Sequence, residues 1–92
     1  MTLKSPRPAT VYILHCADNT YYTGVAYDVQ KRLFEHTNTP LGAKYTRGRQ
    51  PLHLVYQETC ETYGAALSRE YEIKKLSRKA KEELLRQYSL KS

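Results

Sequence analysis

The chain of 92 residues contains no tryptophan, one phenylalanine, one methionine and two cysteines. Four glycines and four prolines are too few for a collagen-like or low-complexity segment. Cys16 and Cys60 allow one disulfide at most, and neither forms a Cys-x-x-Cys pair or a zinc-type spacing with His15, His36 or His53. This argues against a structural metal and reads both thiols as reduced, buried and packed as small hydrophobes. No stretch approaches the roughly 18 consecutive apolar residues of a helical membrane span. Residues 1–10 hold Pro6, Pro8 and basic side chains where a secretory signal would have an apolar core, so a cytoplasmic protein is expected. Acidic residues are the scarcer sign of charge, nine against fifteen lysines and arginines, for a net charge of +6. On so small a body that excess favours a polyanionic partner, because neutralising phosphates releases their counterions.

A chain this short makes one domain with a small core. Residues 1–9 read as a flexible leader, 10–88 as the domain and 89–92 as a tail. Thr10–His15 (TVYILH) is β-branched and aromatic with apolar residues at both parities, the pattern of a central strand covered on both faces. Ala17-Asp18-Asn19-Thr20 is turn chemistry, and Tyr21–Val25 returns as the second strand of a hairpin. Gly24 inside that strand predicts a bulge or a close approach by another backbone. Asp28 is a helix N-cap, with Val29, Leu33 and His36 on one face, Arg32 beside them, and Gln30, Lys31 and Glu35 elsewhere. Thr37–Pro51 is a broken basic loop with room for one short helical turn. His53–Glu58 is a third strand by its alternation, with Leu54 and Tyr56 on one face. Thr62 and Ser77 cap two further helices, over about Tyr63–Leu76 and Arg78–Tyr88. The fold class is α+β, a three-stranded antiparallel sheet in the sequence order β-β-α-β-α-α.

Several of these residues carry chemistry. Nine tyrosines against one phenylalanine is a skewed aromatic set, and phenol groups on a sheet suit proton transfer or the binding of phosphate oxygens. Any single tyrosine, taken alone, reads more readily as a core residue with its hydroxyl in water. Tyr12 and Tyr22 share a sheet face only if the hairpin register sum is even, as with a turn centred on a residue such as Asn19. Arg32 and His36, one helical turn apart, place a fixed cation beside a group that titrates near neutrality. Glu70 falls between Tyr63, Ala66 and Ile73 on an apolar helical face, whereas Glu72 points to solvent. Such a carboxylate holds either a cation or a partner such as Arg69, Arg32 or a lysine. Lys44, Tyr45, Arg47 and Arg49, interleaved with glycines, have the composition of a segment that grips a nucleic-acid backbone.

Taken together, these residues resemble the GIY-YIG nuclease family. Val11-Tyr12-Ile13 stands at the first triplet and Tyr22-Thr23-Gly24 at the second. Arg32 and His36 have the spacing of the family's helix arginine and of the residue one turn later, and Glu70 matches its metal-binding glutamate. The stretch from Gly42 to Arg49 is similar to the small single-domain bacterial branch, and the match covers about Thr10 to Leu84. Val11, Thr23 and Val25 differ from the glycine, isoleucine and lysine found in other members. The resemblance implies magnesium-dependent hydrolysis of a DNA phosphodiester, with structure-specific action on branched or damaged DNA in repair or recombination, and a protein partner that supplies specificity. It implies Tyr12, helped by Tyr22 or His36, as proton acceptor, Arg32 on the phosphoryl oxygens and one magnesium ion on Glu70. Whether Tyr12 or His36 is the base stays open. The competing reading is a nucleic-acid-binding module that keeps the scaffold without cleaving, or that needs a partner for activity.

Overall fold

The computed structural model describes residues 7–38 and 49–91. Its elements are β1 (Ala9–His15), β2 (Tyr21–Ala26), α1 (Val29–Asn38), β3 (His53–Cys60), α2 (Tyr63–Lys74) and α3 (Arg78–Lys91). The sheet is antiparallel in the order β2-β1-β3, so the β-branched run of the first strand is central, as its two apolar faces require. Element boundaries differ from expectation at several points: β2 runs to Ala26, β3 runs to Cys60 and α2 ends at Lys74. Ala9, assigned to the leader, opens β1 and is buried, and α3 continues through Ser89 and Leu90, which were assigned to the tail.

Each helix begins where its cap directs. Asp28 accepts from the Lys31 amide at 3.0 Å, Thr62 from Ala65 at 3.0 Å and Ser77 from Ala80 at 3.1 Å. The C-terminal end of α1 is held by Gln50, whose side-chain amide donates to the carbonyls of His36 and Thr37.

β1 divides the core by parity. Ala9, Val11 and Ile13 face one way and pack with Ala66 and Ile73 of α2, Tyr56 of β3, and Leu84, Leu85 and Tyr88 of α3. Tyr12 and Leu14 face the other way, with Ala26 of β2 and with Val29 and Leu33 of α1. The hairpin pairs Tyr12 with Gly24 and Leu14 with Tyr22, an even register sum centred on Asp18. Tyr12 and Tyr22 therefore share the α1 face. The expectation that Leu54 and Tyr56 share a face fails: the β1–β3 register slips between Ile13 and Leu14, inserting Val55 as a bulge. Leu54 joins the α1-side cluster and Tyr56 the opposite one, because one extra residue reverses the alternation.

Candidate active site

The core of the site is made by β1, β2 and α1. Tyr12 and His36 are each only 2% exposed, and Tyr12 Oη lies 2.9 Å from His36 Nε2. The half-buried Tyr22 closes the group, its ring centroid 5.2 Å from that of His36 and 6.3 Å from that of Tyr12. Strand alternation places the two phenols on one face, and the heptad-like recurrence of Val29, Leu33 and His36 turns the imidazole toward them.

Gly24 makes room for this arrangement. A Cβ at that position would sit 2.6 Å from Tyr12 Oη and 2.7 Å from Tyr12 Cζ, so the ring lies directly over the glycine. Gly24 does not occupy left-handed backbone, and its requirement is therefore one of space. The group that approaches Gly24 is the Tyr12 side chain and not the other backbone expected from sequence, because the ring of the paired residue folds across the strand.

Electrostatics decide how the pair is protonated. Burial pushes the Tyr12 phenol well above its ordinary value of 10.0, reinforced by Tyr22 and by the charge of Glu70, while Arg32 opposes the shift by its charge and by a hydrogen bond. Burial, and then the Arg32 charge, push His36 below its ordinary 6.5. At neutral pH the phenol is protonated and the imidazole neutral. With the neutral imidazole carrying its proton on Nδ1, the Tyr12 hydroxyl donates to Nε2.

Arg32 is half-buried beside Tyr12 and pairs with Glu35 at 3.0 Å. Glu35 had been placed away from the site on the helical wheel. The i, i+3 spacing from Arg32 was the signal that could have found it. Four of the expected residues, Tyr12, Tyr22, Arg32 and His36, are thus brought together. Glu70 comes from α2, whose Ala66 and Ile73 pack on the other side of β1, and its charge is felt at the Tyr12 hydroxyl. Its side chain is 19% exposed and pairs with Lys74 at 3.3 Å. Of the partners considered from sequence, a lysine holds it. Arg69 is committed elsewhere, to Glu58 at 2.9 Å and Glu72 at 3.1 Å.

Of the nucleic-acid-binding set, Lys44, Tyr45 and Arg47 lie outside the described residues. Arg49 is described, and its guanidinium donates to Asp18 at 2.8 Å while its carbonyl accepts from the Ala17 amide, which fastens Arg49, the last of the four, to the hairpin turn. Beside the site, Arg32 also lines a cleft of about 540 Å³ with Lys31, Arg7, Tyr27 and Tyr63. None of the last three is a site candidate from sequence: Tyr27 and Tyr63 each stand next to a helix cap, and Arg7 carries no such signal.

Among the described residues no three His, Cys, Asp or Glu side chains gather into a metal-binding group. A single half-buried carboxylate nevertheless fits a hard cation that keeps most of its waters and takes further oxygens from a substrate phosphate. No described helix is long and apolar enough to cross a membrane.

With this geometry in place, comparison with known proteins is informative. Residues 8–83 match the GIY-YIG catalytic domain. A UPF0213 protein of Desulfotalea psychrophila is 46% identical over 84 residues, covering 90% of this chain and 76% of its own. One from Halobacterium salinarum is 53% identical over 74 residues, covering 80% and 95%. A solution NMR structure of a UPF0213 protein from Bacillus halodurans is 45% identical with a TM-score of 0.55, covering 85% of this chain and 82% of that one. A second, of a protein from E. faecalis, is 36% identical with a TM-score of 0.64, covering 96% and 93%. With its hairpin tyrosines, helix arginine and α2 glutamate falling inside the matched span, this chain belongs to the GIY-YIG family of nuclease domains.

Proposed function

We propose that the chain is a magnesium-dependent endonuclease that hydrolyses DNA phosphodiester bonds, with Tyr12, Tyr22, Arg32, His36 and Glu70 as its site. The observation that carries this reading is the buried Tyr12–His36 hydrogen bond with a guanidinium beside it. A purely structural tyrosine has no need of a neutral imidazole held out of water and next to a fixed cation.

The chemistry follows from the protonation states. A water attacking phosphorus gives its proton to Tyr12 Oη as the phenol proton passes to His36 Nε2. The pair thereby acts as a base without forming a free phenolate, which burial disfavours. Tyr22, the less buried phenol, orients the water at the mouth of the site. Arg32 meets the charge that builds on the phosphoryl oxygens. Glu70 would hold the magnesium ion, which would supply Lewis-acid stabilisation of the developing negative charge. The attacking oxygen comes from water, so no covalent enzyme intermediate forms. Lys44, Tyr45, Arg47 and Arg49 grip the DNA backbone on this reading.

Plasmid nicking with and without magnesium tests it, comparing wild type with Glu70→Ala and Tyr12→Phe. Both variants are expected to lose at least 100-fold in rate, on the order of what general-base and metal catalysis contribute. Magnesium-dependent nicking that survives both substitutions would overturn the assignment. Running branched and damaged duplexes beside linear DNA tests the structure preference.

One observation favours a second reading, a DNA-binding domain that does not cleave alone. Glu70 is already neutralised by Lys74. That reading predicts salt-sensitive binding and no nicking with any divalent ion.

A further inference from the structure

We infer that the cleft beside Arg32 is a nucleobase subsite, in which an unpaired base next to the scissile phosphate stacks on the Tyr27–Tyr63 column. The inference rests on the reading of Arg32 as the phosphate-binding cation and extends it to a neighbouring nucleotide.

Three flat groups from distant parts of the chain meet at this cleft. The Arg7 guanidinium lies 4.0 Å from the centroid of the Tyr27 ring, and the Tyr63 ring lies 5.1 Å from that of Tyr27 at an interplanar angle of 37°. Both rings are well exposed, Tyr27 at 46% and Tyr63 at 38%. They make no part of either core cluster, so burial in the core does not account for them.

The surroundings select the ligand. The cleft volume of about 540 Å³ falls within the roughly 300–1,000 Å³ typical of small-molecule sites. Its cations are Arg7, Lys31 and Arg32. Its two carboxylates are already engaged: Asp28 caps α1 through the Lys31 amide, and Glu35 pairs with Arg32. What remains is a positively biased pocket lined both by two exposed aromatic rings and by the candidate phosphate-binding guanidinium. Those features match a nucleotide, whose base stacks on any aromatic face while its phosphate meets the cation. A base paired inside a duplex has both faces covered and cannot enter, so the subsite takes a base that is unpaired or turned out of its stack.

The test needs no cleavage. Fluorescence anisotropy in EDTA compares a short labelled thymidine oligonucleotide with a strand of the same length and charge that carries abasic sugars. Wild type is expected to bind the base-bearing strand about tenfold more tightly. Tyr27→Ala and Tyr63→Ala should each remove most of that difference while leaving abasic-strand affinity and its salt dependence unchanged, and Tyr63→Phe should keep it. Far-UV circular dichroism of each variant confirms that these exposed substitutions leave the fold intact. Equal affinity of wild type for the two strands, or alanine variants that weaken both strands alike, would sink the inference. Base-dependent binding without any nicking activity would leave the subsite standing and overturn the nuclease reading alone. Nicking without base dependence would do the reverse.

Discussion

Replacing Gly24 with alanine is the sharpest test of how this site is built. The new Cβ would lie 2.6 Å from the Tyr12 hydroxyl oxygen and 2.7 Å from Cζ, inside the distance any real contact allows. Tyr12 has nowhere cheap to go. It is 2% exposed and hydrogen-bonded to an equally buried His36. Forcing the ring aside costs about 1–3 kcal/mol of overpacking, and separating the buried hydroxyl from Nε2 adds about 1–2 kcal/mol. Against this, an alanine in a strand gains roughly 0.5–1 kcal/mol over glycine through chain entropy. The net loss is about 1–4 kcal/mol, or roughly 5–20 °C in Tm for a domain of this size. Thermal unfolding followed by far-UV circular dichroism measures it. In a Tyr12→Leu background, whose side chain stops short of the hydroxyl position, the same glycine change should cost at least about 1 kcal/mol less. A Gly24→Ala variant as stable as wild type would show that Tyr12 does not lie over the glycine, and the geometry of the whole phenol–imidazole pair would fall with it.

Three further outcomes are expected. Lys74→Gln removes the cation that competes for Glu70 and should lower the magnesium concentration for half-maximal nicking by up to about fivefold, the scale of an exposed ion pair; an unchanged magnesium titration would place the metal elsewhere. The folded pKa of His36 lies below its ordinary 6.5, so its contribution to stability is complete above that pH and is lost as the pH falls through the folded value. Both stability and nicking rate should decline on that acidic side, and a His36→Gln variant should lose the inflection in urea midpoints measured across the range. Replacing Lys44, Arg47 and Arg49 with glutamine should flatten the dependence of log affinity for DNA on log salt by about 0.9 for each phosphate contact removed. Binding with an unaltered slope would exclude that segment as the backbone grip.

Much of the fold could be read along the chain because its signals are local. The caps at Asp28, Thr62 and Ser77 were legible as polar side chains able to reach an amide three residues on, and each does so. The central place of the first strand was legible because only a strand covered twice tolerates apolar residues at both parities. The reversal of Leu54 against Tyr56 was not legible, since the Val55 bulge arises from how β3 pairs with β1 across 40 residues of chain, not from its own composition. The pairing of Glu35 with Arg32 and of Glu70 with Lys74 likewise depended on which rotamers the packed helices leave open.

The sequence by itself determined the residue types of the site and their phase: alternation put the phenols of Tyr12 and Tyr22 on a common face once the turn had an even register, and helical spacing set His36 one turn beyond Arg32. Only the tertiary structure decided that Tyr12 meets His36 across 24 positions, that Gly24 is the space its ring fills, and that Arg7, Tyr27 and Tyr63 converge beside Arg32. The physical reason is range. Backbone periodicity and capping act over a few residues and can be read in order, whereas a buried hydrogen bond, a steric gap and a shared cleft exist only after distant segments have been packed against one sheet.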